Sequence, residues 1–425
     1  MLLNSKLKEL SFLVYGLGLS GQSVIKFFKK NKINHFKVWD DKNLNLLKRY
    51  RTNNLNRSLK EVDYIVLSPG ISLIKNKKLK KYKKKIITDI DLFYLSKNKS
   101  KTIVVTGTNG KSTTCKLIEH LLKKNKIKCS VGGNIGKPIL NLKVSKNSYV
   151  IIESSSFQLS HSQFILPDFA IFLNIADDHL DWHGNKNNYL NSKLKIFNLQ
   201  TKKHFALLGI QLRKIFLKKK FLSKLVIPNN SEFKKVKNQI NNPYLSTGIN
   251  DENLNFTYTL AKLLGITKKT FINALKSFKG LPHRFEIFYK KKNITFINDS
   301  KATSFRATQS ALSSLKNIYW ILGGLPKKGD KINLSKYKNN ITKCYLIGEK
   351  TKFFENQIQD KLTFSITKNL QKSIIQILKD IKLQKKNNKF ILLSPAAASF
   401  DQFKNFEKRG EKFKRLCKIY GSKYI

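Results

Sequence analysis

Short apolar runs rich in β-branched residues recur along this chain, each followed by polar or glycine residues and then by apolar positions at helical spacing. Phe12-Leu13-Val14-Tyr15, Val38-Trp39 and Tyr64-Ile65-Val66-Leu67 come first, followed by Ile103-Val104-Val105, Tyr149-Val150-Ile151-Ile152 and Ala170-Ile171-Phe172-Leu173. Ile294 to Ile297, Tyr319 to Leu322, Cys344 to Ile347 and Phe390 to Leu393 close the series. Runs of this length without alternation suit strands buried on both faces, and the helical spacing between them (Leu117, Ile118, Leu121, Leu122) supplies the covering layer. The pattern predicts an α/β fold built on parallel sheets.

Two glycine turns divide the front half. Gly16-Leu17-Gly18-Leu19-Ser20-Gly21 follows a strand and opens a helix through Phe28, and Asp40-Asp41 ends the next strand about twenty residues on. That arrangement predicts a Rossmann-like domain over 1–97 for a dinucleotide or a nucleotide diphosphate. Thr106-Gly107-Thr108-Asn109-Gly110-Lys111-Ser112-Thr113 stands between the Ile103 run and the Leu117 helix. Glycines there let backbone N–H groups face an anion, Lys111 adds a cation for β- and γ-phosphates, and Ser112 or Thr113 offers a hydroxyl to Mg²⁺. Val105 occupies the place of the first glycine in the strict G-x4-G-K-[ST] pattern, yet the strand–loop–helix context favours a triphosphate site over an incidental lysine. The polar stretch Ser96 to Lys101 and the Gly280 to Glu286 segment bound a P-loop ATPase-like central domain, 98–280, and a Rossmann-like C-terminal domain, 281–425.

Charge changes the picture less than its size suggests. The formal net charge is +57, from 83 basic and 26 acidic residues in 425. The lysines are spread through nearly every segment, accompanied by heavy use of Asn, Ile, Leu and Phe, which reads as genome composition more than a nucleic-acid-facing stripe. No nucleic-acid partner is expected, although a basic ATPase bound to nucleic acid is the alternative from another class. Cys115, Cys129, Cys344 and Cys417 lack metal-ligand spacing and read as free thiols in a reducing compartment. The Ser11–Leu19 apolar run is too short to span a bilayer, so no membrane insertion and a cytoplasmic location are expected.

Polar residues at strand ends mark where open α/β sheets bind ligands. Glu153 ends one strand and is the candidate Mg²⁺ ligand; Asp177-Asp178-His179 follow another. His179 and His183 are four apart, but Leu180 stands where a zinc hydrolase needs glutamate. Val131 to Gly136 reads as a glycine-rich turn, Tyr189 to Phe197 as a helix carrying Lys193, and 202–242 as a basic, strand-like tract without a motif. Asn250 opens a helix to Leu264, and an Asn250–Asn253 pair one turn apart can serve a purine edge or a helix cap.

Taken together these segments resemble the Mur ligase family over essentially the whole chain. The resemblance rests on the two glycine turns, Glu153 with Ser155-Ser156-Phe157-Gln158, Asp178-His179, Leu281-Pro282-His283-Arg284-Phe285, Asp299-Ser300-Lys301-Ala302-Thr303 and Ser394-Pro395-Ala396-Ala397-Ala398-Ser399-Phe400-Asp401-Gln402-Phe403. The last two look like the members that add D-glutamate. The family resemblance implies ATP-dependent coupling of D-glutamate to UDP-N-acetylmuramoyl-L-alanine through an acyl phosphate, in peptidoglycan precursor synthesis, by a monomer. It implies that Leu19, Ser20, Asp40, Ser68 and Gly70 hold the UDP part, with Asn134 near the sugar. Gly107, Thr108, Asn109, Gly110, Lys111, Ser112 and Thr113 would hold ATP, with Asn250, Asn253, His283, Arg284, Asp299 and Lys301 on the ADP side. Two Mg²⁺ ions would be held by Ser112, Glu153, His179 and a carbamylated Lys193, with Lys111, Glu153, His179 and Lys193 catalytic. Thr303, Lys327, Ser399 and Phe406 would form the D-glutamate pocket. Two departures stand out: Ser304 replaces the usual Asn, and Leu325-Pro326 precede Lys327 where many members have Asp-Gly. Another Mur-family specificity or a folylpolyglutamate-type ligase is the alternative within the class.

Overall fold

The computed structural model describes residues 2–42, 47–96, 100–242, 244–245, 248–327, 329–383 and 388–424. The first sheet holds β1 (Phe12–Tyr15), β2 (Phe36–Trp39), β3 (Tyr64–Leu67) and β4 (Ile86–Ile87) in the parallel order β2-β1-β3-β4. The second holds β5 (Lys101–Thr106), β6 (Cys129–Gly133), β7 (Tyr149–Glu153), β8 (Phe169–Phe172), β9 (Phe205–Leu208) and β10 (Lys224–Val226), all parallel, in the order β10-β9-β8-β5-β7-β6. The third holds β11 (Glu286–Lys291), β12 (Ile294–Asn298), β13 (Ile318–Gly323), β14 (Ile341–Ile347), β15 (Phe364–Lys368) and β16 (Lys389–Leu393) in the order β11-β12-β16-β13-β14-β15. Only β11 runs antiparallel to its neighbour.

The α/β reading holds, with three differences of detail. The tract 202–242, read as strand-like, contains β9 and β10 but also helices Arg213–Lys218 and Asn230–Lys237. Its lysines mask the helical spacing of Phe233 and Val236, the buried residues of the second helix. Val131-Gly132-Gly133, read as a turn, belongs to β6, where Gly133 pairs with Glu153 at a φ of +101° and so close to the Glu153 carbonyl that a Cβ would clash. The third sheet gains β11 and β15, whose polar, half-exposed edge positions carry too few apolar residues to signal a strand.

The first two sheets share one compact unit, residues 1–242 with 250–278, and the third lies in a second unit, 243–249 with 279–425. Within the first unit Asp91 acts as a rivet: its Oδ1 accepts from Ser162 Oγ and the amides of Gln163 and Phe164 at 2.6, 2.9 and 2.7 Å. His161 adds a bond between Nε2 and the Ile71 carbonyl at 2.9 Å. In the second unit, alternation along β13 sends Ile318, Trp320 and Leu322 to one core, while Tyr319 and Ile321 enter the other. Among the described residues, no helix is long and apolar enough to cross a membrane.

Candidate active site

The central sheet changes direction of winding at β5, which lies between β7 and β8, so a crevice opens at the carboxyl ends of these strands. The loop after β5 fills that edge. Gly110, with φ of +83°, caps the helix Lys111–Lys124. A Cβ on Gly110 would come 2.1 Å from Asn253 Oδ1, so no larger residue fits. The Asn109 amide donates to Asn174 Oδ1 at 3.0 Å, and Thr108 Oγ1 lies 3.0 Å from Tyr189 Oη. The Lys111 ammonium folds back onto the carbonyls of Gly107 and Thr108 at 2.9 and 2.8 Å. Ser112 and Thr113 are buried in the helix's first turn.

Register places Glu153 beside Val105, directly before this loop. Glu153 is 2% exposed; its Oε1 accepts from Asn134 Nδ2 at 2.9 Å, while Oε2 has no hydrogen-bond partner among the described residues. A buried carboxylate oxygen left unpaired is costly in a purely structural role. Lys193 is 1% exposed and reaches the Gly107 carbonyl at 2.7 Å. Burial, reinforced by Lys111, holds its pKa well below the usual lysine value. Its ammonium also lies over the Tyr189 ring at 4.9 Å. His179 sits in a left-handed conformation with φ of 54°, its ring 4.7 Å from Phe157 and its Nε2 3.4 Å from Asp178 Oδ2. His183 is buried against Ser156 Oγ at 2.9 Å, with its pKa pushed down to about 4 by burial and then by His179. Asn250 and Asn253 are both buried; Asn250 makes no side-chain cap, and its Nδ2 has no partner among the described residues. No cluster of three or more His, Cys, Asp or Glu side chains suited to a metal occurs among the described residues.

At the first sheet's edge, Gly16 has φ of +94°, and a Cβ there would meet Ser68 Cβ at 2.7 Å. Ser68 Oγ donates to the Gly16 carbonyl at 2.7 Å. Asp40 braces the same turn: its Oδ2 accepts from the Leu17 amide at 2.6 Å and its Oδ1 from Lys42 at 2.9 Å. Leu19 is 79% exposed in the first turn of the helix Leu19–Lys30, and Gly70 is exposed with open space around its Cα.

In the second unit Asp299 is half-buried, accepting from Ser394 Oγ at 2.7 Å and the Phe285 amide at 3.1 Å. Burial pushes its pKa up to about 7. His283 Nδ1 meets Asn298 Nδ2 at 2.9 Å, and the Lys301 amide donates to the His283 carbonyl at 3.1 Å. Lys301 Nζ lies 5.0 Å from the Phe406 ring centroid. Ser399 is buried, Thr303 half-buried and Lys327 exposed. Ser304 caps the helix Phe305–Ser314 by accepting from the Ala307 amide, a task Asn also performs, which accounts for the first departure. Leu325 exchanges backbone hydrogen bonds with Ala398 at 2.9 Å, a pairing that needs no Asp-Gly side-chain chemistry. Arg409, which nothing in the sequence singles out, is 1% exposed and ties the Ser300 carbonyl to that of Ala397 at 2.8 and 2.9 Å. Asn174 and Tyr189 carry no sequence signal for the site either; each is a polar residue whose role is fixed only by its distance to the phosphate loop.

Residues 105–263 match the family described as the Mur ligase middle domain. The UDP-N-acetylmuramoylalanine--D-glutamate ligase of Rickettsia prowazekii (strain Madrid E) is 38% identical over 435 residues, covering 95% of this chain and 97% of that protein. The ligase of the same name from Wolbachia pipientis wMel is 33% identical over 496 residues, covering 97% of each. Among solved structures, the MurF ligase from Thermotoga maritima in complex with ADP superposes with a TM-score of 0.59 at 16% identity, covering 98% of this chain and 97% of that one. UDP-N-acetylmuramate-alanine ligase MurC from Thermotoga maritima gives 0.58 at 17% identity, covering 97% and 100%. At such identity the structures speak to fold alone, and that fold, together with the phosphate loop, is of the Mur ligase class. By the longer and closer sequence matches, the chain belongs to the family of UDP-N-acetylmuramoylalanine--D-glutamate ligases.

Proposed function

We propose that this protein uses ATP to join D-glutamate to UDP-N-acetylmuramoyl-L-alanine, in peptidoglycan precursor synthesis. The observation that carries the reading is the meeting of the Gly107–Thr113 loop with buried Glu153 and Lys193 at one sheet edge. The chemical problem is that a carboxylate is inert toward an amine in water. Attack of the alanyl carboxylate on the γ-phosphorus expels ADP and leaves an acyl phosphate. The D-glutamate amine then adds to the carbonyl, loses a proton, and phosphate departs as the amide forms. The loop amides and Lys111 stabilise charge on the phosphates through both steps.

Glu153 Oε2, the Ser112 hydroxyl and His179 suit Mg²⁺, provided that Lys193 contributes oxygen. Its depressed pKa supplies the neutral amine that adds to CO₂, losing a proton to give a carbamate. Mg²⁺, when bound, neutralises phosphate charge. Asn250 and Asn253 are assigned to the adenine side, and in the second unit His283, Arg284, Asp299 and Lys301 are assigned to ADP. Leu19, Ser20, Asp40, Ser68 and Gly70 take the UDP part, with Asn134 at the sugar. Thr303, Lys327, Ser399 and Phe406 take D-glutamate. The protein acts as a cytoplasmic monomer. Phosphate release from ATP with the UDP-linked substrate tests the reading: D-glutamate supports it, and equal rates with L-glutamate or L-lysine refute the specificity.

A further inference from the structure

The turn 281–286 holds two non-glycine residues in the left-handed region, His283 at φ of 62° and Phe285 at φ of 46°. Such backbone persists only where its surroundings over-determine it. Here a carboxylate grips each amide: His283 donates to Glu286 Oε2 at 2.9 Å, and Phe285 donates to Asp299 Oδ1 at 3.1 Å. Between them the His283 ring is fixed in place and is only 8% exposed.

One side chain decides where that ring carries its proton. Asn298, fully buried at the end of β12, places Nδ2 2.9 Å from His283 Nδ1 and 3.0 Å from Glu286 Oε2. Its Oδ1 accepts from the Ser300 amide at 3.2 Å. The amide cannot be turned round. Oδ1 would then oppose the Glu286 carboxylate, which is ion-paired with Lys414, and Nδ2 would oppose the Ser300 N–H. With Nδ2 donating to both partners, Nδ1 is the acceptor of the ring, and the proton of the neutral imidazole falls on Nε2. The helix Phe406–Tyr424 closes the same side: a Cβ on Gly410 would stand 2.1 Å from Nδ1 and 2.9 Å from Asn298 Nδ2. Nε2 makes no hydrogen bond among the described residues, so it is the nitrogen left for a ligand. Burial lowers the His283 pKa below the ordinary 6.5, and Lys414 assists, against the raising effect of Glu286, Glu407 and Glu411.

We propose that Asn298 is a positioning residue that holds His283 as the neutral imidazole with its proton on Nε2, so that the ring meets the nucleotide as a fixed hydrogen-bond donor. The inference rests on the functional reading above, because it takes His283 as part of the ADP side. ATP offers oxygen and ring-nitrogen acceptors to such a donor. Asn298 itself, buried behind the ring, does not touch the nucleotide.

Proton–nitrogen NMR correlation of the imidazole rings reads the tautomer in the unsubstituted protein, with His283→Gln identifying the signal. The expected His283 pattern is a proton on Nε2 and a bare Nδ1, with the ring still mostly neutral at pH 6.5, where an ordinary histidine is half-protonated. A proton on Nδ1, or a half-charged ring at that pH, overturns the proposal. Asn298→Asp exchanges the donor for an acceptor and is expected to draw a proton to Nδ1 at about pH 7. Asn298→Leu removes the donor and is expected to raise KM for ATP about tenfold. KM for D-glutamate and for the UDP-linked substrate, and kcat, stay within about twofold. All of these moving together, or an unchanged KM for ATP, overturns the role of Asn298. Should either variant fail to fold, the spectrum of the unsubstituted protein still decides. The two failures separate in His283→Gln: an unchanged KM for ATP there overturns the functional reading of His283. A KM for ATP raised in His283→Gln but not in Asn298→Leu overturns the role of Asn298 alone.

Discussion

Lys111 and Lys193 donate to the same acceptor, the carbonyl oxygen of Gly107, at 2.9 and 2.7 Å. Burial is the main reason the Lys193 pKa falls, and the neighbouring Lys111 charge adds to it. Lys111 is only half-buried, and the proposed function has it swing onto the phosphates when ATP enters. Lys111→Ala is expected to lower kcat by about a thousandfold or more, as loss of a preorganised charge does. Affinity for the UDP substrate, measured by calorimetry, stays within about threefold of the unsubstituted value. Normal phosphate release by this variant contradicts the assignment.

The proposed function has the neutral amine of Lys193 become an oxygen ligand. Lys193→Ala is expected to lose activity and to regain part of it when a small carboxylic acid such as acetate is added. The rescue titrates with acid concentration, because the added carboxylate occupies the space the side chain left. Full activity in Lys193→Ala without additive contradicts the role.

Gly110 has no room to spare. Gly110→Ala puts a methyl group 2.1 Å from Asn253 Oδ1 in a backbone region that costs an L-residue about 1–2 kcal/mol. The expected result is a rise in KM for ATP of about tenfold or more, read in steady-state kinetics, with D-glutamate KM unchanged. Strain in the helix cap also lowers thermal stability by a few degrees, on the order of 1 kcal/mol.

His161 links the first two sheets and gives stability a pH dependence. Burial depresses its pKa from 6.5 to about 4, and the Lys195 and Lys83 charges add to the effect. The folded state therefore resists protonation that the unfolded chain accepts. Its contribution is complete above the unfolded pKa and is lost as pH falls through the window from about 6.5 to about 4. Urea unfolding at about pH 7 and about pH 4.5 is expected to show a smaller loss for His161→Gln than for the unsubstituted protein. An equal loss in both removes His161 as the cause.

Much of this architecture is legible in the amino-acid sequence, for physical reasons that particular residues illustrate. Gly16 and Gly110 are readable because a backbone conformation restricts which residue can stand there. Glu153 is readable because a carboxylate at the end of an apolar run lies at a sheet edge by construction. The burial of Lys193 is not readable from its own neighbours, since it depends on Tyr189, Gly107 and Thr106, and the last two are distant in sequence. Arg409 hides for the same reason: on a helix rich in Lys it looks like one more surface cation until Ser300 and Ala397 close over it. The helices within 202–242 hide behind their lysines, and the Gly132-Gly133 strand hides behind a composition that elsewhere makes turns.

The central claim is that ATP activates the substrate's carboxylate at the Gly107 loop. A heavy-oxygen label placed in the alanyl carboxylate of UDP-N-acetylmuramoyl-L-alanine tests it in a single turnover, with mass spectrometry of the released phosphate. Transfer of labelled oxygen to phosphate, dependent on ATP and D-glutamate, is the predicted result. Amide product formed with unlabelled phosphate contradicts the account.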